Sequence, residues 1–162
     1  MTQEEKDLLL KDLCARLPYE VIVKFEVDTS YDTCFDSIWQ TSYFDGILLS
    51  INSDSEEVEL LTISDDEDLL IYLHDQLNAQ PVEYTECQPY LRPISSLTQE
   101  ERDKFCNIGG IISHRPSDGR LYLVAYSPEA LDYLNSIHAD YRDMIEKGLA
   151  IEAPEGMYNK KE

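Results

Sequence analysis

The chain of 162 residues carries 33 acidic and 13 basic residues for a formal net charge of −20, with 43% hydrophobic and 10% aromatic residues. That length and apolar share predict a folded chain, one domain or one domain with a helical appendage, whose core needs neither disulfides nor metals. No run approaches the roughly 18–20 apolar residues of a membrane span, and MTQEEKDLLLKDLC puts acids where a signal peptide needs a basic and then an apolar region, so a cytoplasmic protein without membrane association is expected.

Thr2-Gln3-Glu4-Glu5 has the form of a capping box, in which hydroxyl and carboxylate satisfy each other's backbone amides. Leu9, Leu10, Leu13, Cys14 and Leu17 then recur at helical spacing until Pro18, which predicts a helix over 3–16 with one apolar face. From Glu20 the period changes to two: Val21, Val23, Phe25 and Val27 alternate with polar neighbours, as in a half-buried strand. Further strands are expected at Thr33–Thr41, with Phe35 and Trp39 on one face, at Gly46–Ile51 and at Glu57–Ile63. The last two flank the turn-forming Asn52-Ser53-Asp54-Ser55, and such short connections favour an antiparallel meander.

A second capping box, Ser64-Asp65-Asp66-Glu67, precedes Leu69, Leu70, Leu73, His74 and Leu77 and predicts a helix over 65–78. Val82–Cys87 reads as a fifth strand, and PYLRP between Pro89 and Pro93 as extended chain. Thr98-Gln99-Glu100-Glu101 is a third capping box, opening a helix that stops at Gly109-Gly110. TQEERD nearly repeats TQEEKD at the start of the chain, but the residues that follow differ, so the same cap is written twice. Ile111–His114 and Arg120–Ala125 form a hairpin around Pro116-Ser117-Asp118-Gly119. Ser127 and Pro128 open a helix with Leu131, Leu134, Ile137 and His138 on one side. A short helix over 141–147 has Asp140 as its cap and Gly148 as its stop, and the chain from Pro154 is an extended or mobile tail.

The expected fold is therefore α+β: an N-terminal helix on a small bent antiparallel sheet or SH3-like barrel, then a helical C-terminal part. The boundaries that follow are an acidic β-rich domain over 1–97, a C-terminal part over 98–153 with a hairpin, and a tail over 154–162.

Lys24 is followed by no Lys or Arg until Arg92, and 16 acids lie between them. Such a field repels nucleic-acid phosphates and acidic membranes, whose binding needs Lys and Arg to displace counterions. It suits a cationic partner, a divalent ion or solubility alone, and carboxylates along strands can imitate a row of DNA phosphates.

Other chemistry is thinner. Cys14, Cys34, Cys87 and Cys106 form no CxxC pair and no zinc knuckle, and read as buried or half-exposed core thiols. Asp65, Asp66, Glu67 and Asp68 offer oxygens to Ca²⁺ or Mg²⁺, without the alternating order of an EF-hand; acids in a first helical turn are equally explained by the helix dipole. His74, His114 and His138 stand outside any HExxH or nucleophile-turn motif. His138, Asp140, Tyr141 and Arg142 crowd one corner, with Glu129 nearby, and could serve as a general acid or base; capping and an ion pair explain the same residues. Gly109-Gly110 follows a helix rather than opening one, which excludes a phosphate loop, and no cofactor is implied.

Three strings, Lys11-Asp12-Leu13-Cys14-Ala15-Arg16-Leu17-Pro18-Tyr19, Gln88-Pro89-Tyr90-Leu91-Arg92-Pro93-Ile94-Ser95-Ser96-Leu97-Thr98 and DYRDMIEKGLAIEAPEGMY from Asp140 to Tyr158, resemble a family of uncharacterised proteins encoded by phages, prophages and mobile elements of gut bacteria. The resemblance implies a genetic setting in a bacterial host, with no activity, cofactor or catalytic residue to carry over. The leading expectation is a non-enzymatic accessory protein that binds a basic host protein through an acidic surface, with DNA mimicry as its narrower form. An enzyme built on the His138 corner and a divalent-cation-binding protein are the alternatives.

Overall fold

The computed structural model describes residues 1–32, 37–52 and 54–158, the side chains of 29–32 and 37–40 excepted. The chain is α+β and divides into two compact units, Met1–Pro89 and Tyr90–Glu162.

In the first unit, α1 spans Gln3–Arg16. Its capping box forms as predicted: the Glu5 amide donates to Thr2 Oγ1 (3.2 Å) and the Thr2 amide to Glu5 Oε2 (2.7 Å). The buried stripe is not the predicted one. Leu9 and Leu13 lie on it, but so do Asp12 and Arg16, whereas Cys14 is exposed. Arg16 Nε donates to Asp12 Oδ2 at 2.7 Å and Nη2 to Oδ1 at 3.2 Å, and both side chains are 0% exposed. A two-point guanidinium–carboxylate contact one helical turn apart lets opposite charges enter the core together.

Strands β1 (Ile22–Asp32) and β2 (Ser37–Asn52) run antiparallel in unbroken register from Ile22 opposite Ile47 to Asp32 opposite Ser37. The two strands expected over 33–41 and 46–51 thus belong largely to one, while Cys34 and Phe35 lie outside the described residues. Phe44 continues the inward alternation and meets Phe25, ring centres 6.2 Å apart. Gly46 marks a close approach inside the strand rather than its start, because a Cβ there would come within 3.1 Å of the Phe25 ring and 3.2 Å of the Leu61 carbonyl oxygen.

β3 (Glu57–Thr62) pairs with β2 past a bulge at Leu49. α2 (Glu67–Ala79) begins later than predicted. Its cap is Asp66, whose Oδ1 accepts from the Asp68 and Leu69 amides at 3.1 Å each, while Ser64 Oγ accepts from the Asp66 amide. β4 is only Val82–Glu83, because the chain turns into a 3₁₀ helix at Tyr84–Glu86, where the Tyr84 amide bonds Glu56 O and the Glu83 amide bonds Glu86 Oε2. β5 (Gln88–Leu91) is the extended start of PYLRP, and Gln88 and Pro89 lie opposite Lys24 and Val23.

The strand order in this unit is β4-β3-β2-β1-β5, antiparallel throughout. The sheet curls until Glu26–Asp28 of β1 and Val82 of β4 line one depression, yet no ladder joins β1 to β4 among the described residues, so it is a half-barrel. Val23, Phe25, Val27, Leu48, Val82 and Tyr84 fill its concave side. Burial pushes the Cys87 thiol up to about 12, with the Glu86 charge adding to it, which leaves Cys87 inert.

In the second unit, Ile94–Ser96 forms a 3₁₀ turn and α3 spans Gln99–Asn107 behind the predicted Thr98 capping box. Glu101 also takes a two-point contact from Arg92, at 2.7 and 3.0 Å. Burial by itself would raise the Glu101 carboxyl, but hydrogen bonds from Arg92 and from the Thr98 backbone, with the Arg92 charge, outweigh it and hold the group below the usual Glu range. A carboxylate depressed in the folded state contributes stability in full above its unfolded value of about 4.3 and loses it as pH falls through the folded value. Urea denaturation from about pH 6 down to about pH 3 is expected to show wild type losing stability more steeply than Glu101→Gln; parallel curves would contradict this.

Gly109, at φ +97°, ends α3 and leads into the hairpin of β6 (Gly110–His114) and β7 (Leu121–Ala125). α4 spans Pro128–Ser136; Ser127 Oγ accepts from the Ala130 amide (3.0 Å) and donates to Ile108 O (2.5 Å). The core is Leu97, Phe105, Leu123, Ala130, Leu134 and Ala139, with Ile137 and Tyr133 packed on it; Leu131, placed on this face by its spacing, is exposed.

Residues 141–147 form successive turns rather than the predicted helix, because Asp143 takes a left-handed backbone (φ 55°) that interrupts the ladder. Only the C-terminal end follows the sequence reading. Asp140 accepts from the Met144 and Ile145 amides, four and five residues on, rather than capping a helix that starts at Tyr141, whereas at Gly148 (φ 70°) the Gly148 amide bonds Ile145 O and the Leu149 amide bonds Met144 O, a Schellman closure. β8 (Ile151–Glu152) runs parallel to Tyr90–Leu91 of β5. Beyond it the chain is not extended: Pro154–Tyr158 turns back, and Tyr158 Oη donates to Tyr90 O at 2.7 Å. No described helix is long and apolar enough to cross a membrane.

Candidate functional site

Residues opposite one another in an antiparallel ladder project to the same side of the sheet, so register converts the acid-rich sequence into a map. With Val23, Phe25 and Val27 facing the core, Ile22, Lys24, Glu26 and Asp28 of β1 point outward. Opposite them in β2 stand Ile47, Asp45, Tyr43 and Thr41. Leu61 lies across from Ile47, and past the bulge Glu59 faces Ser50 and Glu57 faces Asn52. Glu83 of β4 is directly opposite Glu57. Six of the sixteen acids, Glu26, Asp28, Asp45, Glu57, Glu59 and Glu83, therefore share the outer face of one curled sheet.

Hydroxyl donors orient four of these carboxylates. Thr41 Oγ1 donates to Asp28 (2.8 Å), Ser50 Oγ to Glu59 (3.0 Å), Ser55 Oγ to Glu57 (2.9 Å) and Thr85 Oγ1 to Glu83 (3.3 Å). A hydroxyl fixes a carboxylate without cancelling its charge, unlike an ion pair. Lys24, on the same face, holds its ammonium 5.0 Å from the centre of the Tyr43 ring. Glu57 opposite Glu83 is a like-charge pair that costs the sheet stability. The face is thus strongly negative at some expense to the fold.

Apolar groups are interleaved with the acids, which the charge count alone concealed. Tyr43 is 62% exposed, Leu61 55%, Ile63 47% and Leu49 46%. Ile22, Ile47 and Leu61 lie in one row across β1, β2 and β3, and the Ile63 amide bonds Asp45 O at 2.9 Å, which sets Ile63 beside Asp45. The period-two pattern does place Ile22 and Leu61 on polar faces; only the register shows that both lie opposite Ile47.

The acids Asp65–Asp68 lie at the start of α2 and are exposed. Asp66 is the cap, and Glu67 and Asp68 occupy the first turn, where exposed amides favour negative charge. Among the described residues, no group of three or more His, Cys, Asp or Glu is placed to hold a metal ion.

The His138 corner is assembled in the second unit, but each side chain has a structural task. His138 takes the left-handed position (φ 54°) that closes α4, with its amide on Asn135 O and the Ala139 amide on Leu134 O, and its buried ring stacks on Tyr158 at 3.7 Å. Asp140, also buried, accepts from the Met144 amide (2.8 Å) and the Ile145 amide (3.0 Å). Tyr141 Oη donates to Asn135 Oδ1 at 2.8 Å, and the Arg142 guanidinium lies over the Tyr141 ring. Asp140 borders an open groove lined by Pro93, Ile94, Leu121 and Ile145, whose neighbouring Arg120 and Asp143 are engaged with Glu146 and Arg115. Glu129 sits in the first turn of α4. Comparison of the chain with protein-family models, with curated proteins and with solved structures returned no match.

Proposed function

We propose that this protein is a non-enzymatic interaction protein that binds a basic partner protein through the outer face of the β4-β3-β2-β1 sheet, in the setting of a phage or mobile element acting on its bacterial host. The observation that carries the reading is the gathering of Glu26, Asp28, Asp45, Glu57, Glu59 and Glu83 on one face, four of them oriented by hydroxyls. A face of this kind accelerates encounter with a cationic surface and rejects nucleic acid and anionic membrane. Imitation of a DNA phosphate row is the narrower form, and the apolar residues among the acids favour a protein surface of mixed character over one shaped only for phosphates.

The immobilised chain should retain a basic host protein from bacterial lysate at low ionic strength and release it as salt is raised, since exposed charges are screened over about 10 Å at 0.1 M. Empty capture at low salt, or capture indifferent to salt, would count against the reading.

A further inference from the structure

Resting on the binding surface just proposed, we infer that its partner is recognised by an apolar stretch flanked by Lys or Arg, which docks along the Ile22–Ile47–Leu61 row while its cations meet the surrounding carboxylates. Large side chains on this face stand open to solvent: Tyr43, Leu61, Ile63 and Leu49 are each about half exposed or more. Adjacent exposed apolar groups on one sheet face mark an interaction surface more often than scattered ones do. The row is continuous across three strands, because Ile22 faces Ile47 and Ile47 faces Leu61 in the ladder. Glu26 lies opposite Tyr43, Asp45 opposite Lys24, and Glu59 flanks Leu61 on β3, so an apolar segment laid on the row brings its neighbours within reach of anions.

Charge decides the occupant. A second copy of this chain would set the same carboxylates against their counterparts, at a net charge of −20 per copy. A neutral apolar segment would leave carboxylates at the edge of the contact partly desolvated and unpaired, which opposes binding. Lys or Arg beside the apolar residues answers both, with apolar burial supplying affinity and the charged rim supplying rate and orientation.

The test titrates the ¹⁵N-labelled full chain with two synthetic peptides of equal length, one alternating Leu with Lys and one alternating Ser with Lys. The Leu–Lys peptide is expected to bind about tenfold or more tightly than the Ser–Lys peptide, a difference of about 1.4 kcal/mol, with amide shifts concentrated on β1, β2 and β3. The double substitution Tyr43→Ser with Leu61→Ser, at positions exposed enough to leave the fold intact, should abolish that preference. Equal affinity for the two peptides would overturn the apolar row while leaving the acidic-surface reading standing. Failure of both peptides to bind would overturn both. Shifts on the same face that grow with protein concentration in the absence of peptide, with dimer in sedimentation, would make the occupant a second copy and overturn the inference.

Discussion

Replacing Asp12 by Ala is expected to remove about 3–5 kcal/mol of stability, because it leaves the Arg16 guanidinium buried without its carboxylate. Both side chains are 0% exposed and joined at 2.7 and 3.2 Å, so Arg16 has no short route to water that keeps α1 in place. A whole domain is typically stable by about 5–15 kcal/mol, which makes this loss a large share of the total. The pair as such need not stabilise the fold. Exchanging both residues for apolar ones, Asp12→Leu with Arg16→Met, should cost far less than Asp12→Ala alone, since no charge is then stranded. Urea denaturation followed by circular dichroism separates the cases, and a loss under about 1 kcal/mol in Asp12→Ala would show that Asp12 is not what holds the Arg16 charge in the core.

Gly110→Ala is expected to be nearly as damaging, at about 3 kcal/mol, through overpacking. An added Cβ would overlap three carbons of the Phe105 ring, and that ring is held in the core with Leu97, Leu123, Ala130 and Leu134. Gly119 supplies the contrast: a Cβ there meets nothing within 4 Å, but its φ of +71° is strained for Ala. Gly119→Ala should therefore cost only about 1 kcal/mol, through the backbone. Combining Gly110→Ala with Phe105→Leu should cost less than the sum of the two, because the smaller side chain opens the space that the new methyl needs. Thermal unfolding of the four variants reads this coupling, and strict additivity would contradict the packing explanation.

Local chemistry was the legible part of this sequence. The caps at Thr2, Thr98 and Ser127 and the stop at Gly148 depend on atoms a few residues apart, and each forms as the sequence implies. One local cap differs, Asp66 rather than Ser64 opening α2; the other differences lie mostly where packing and pairing decide. Cys14 and Arg16 are both within reach of the apolar stripe of α1, and only packing shows that the ion pair turns inward and the thiol outward. The segment Tyr43-Phe44-Asp45 breaks a simple apolar run, yet its long pairing with β1 carries the strand through it. Asp143 abandons helical geometry, which no propensity rule demands of an Asp, and the helix expected over 141–147 becomes turns.

The acid-rich middle shows the same division. Its sixteen carboxylates and its lack of Lys and Arg are plain in the sequence, but their distribution is a property of register. Asp65–Asp68 go to the start of α2, Asp54 and Glu56 to the β2–β3 turn, and six gather on the outer face. The apolar row beside them was equally invisible, because Ile22, Ile47 and Leu61 are far apart in the chain and meet only through two ladders.

The most direct test holds charge constant and moves its position. One variant neutralises Glu26, Asp28, Glu59 and Glu83 on the outer face, and the other neutralises Asp65, Asp66, Glu67 and Asp68 at α2, each as Gln or Asn. Capture of a basic partner at low salt is measured for both. The outer-face variant should lose binding by about tenfold or more, and the α2 variant should stay near wild type. Equal losses in the two would show that net charge alone drives association, and would contradict a site on the sheet.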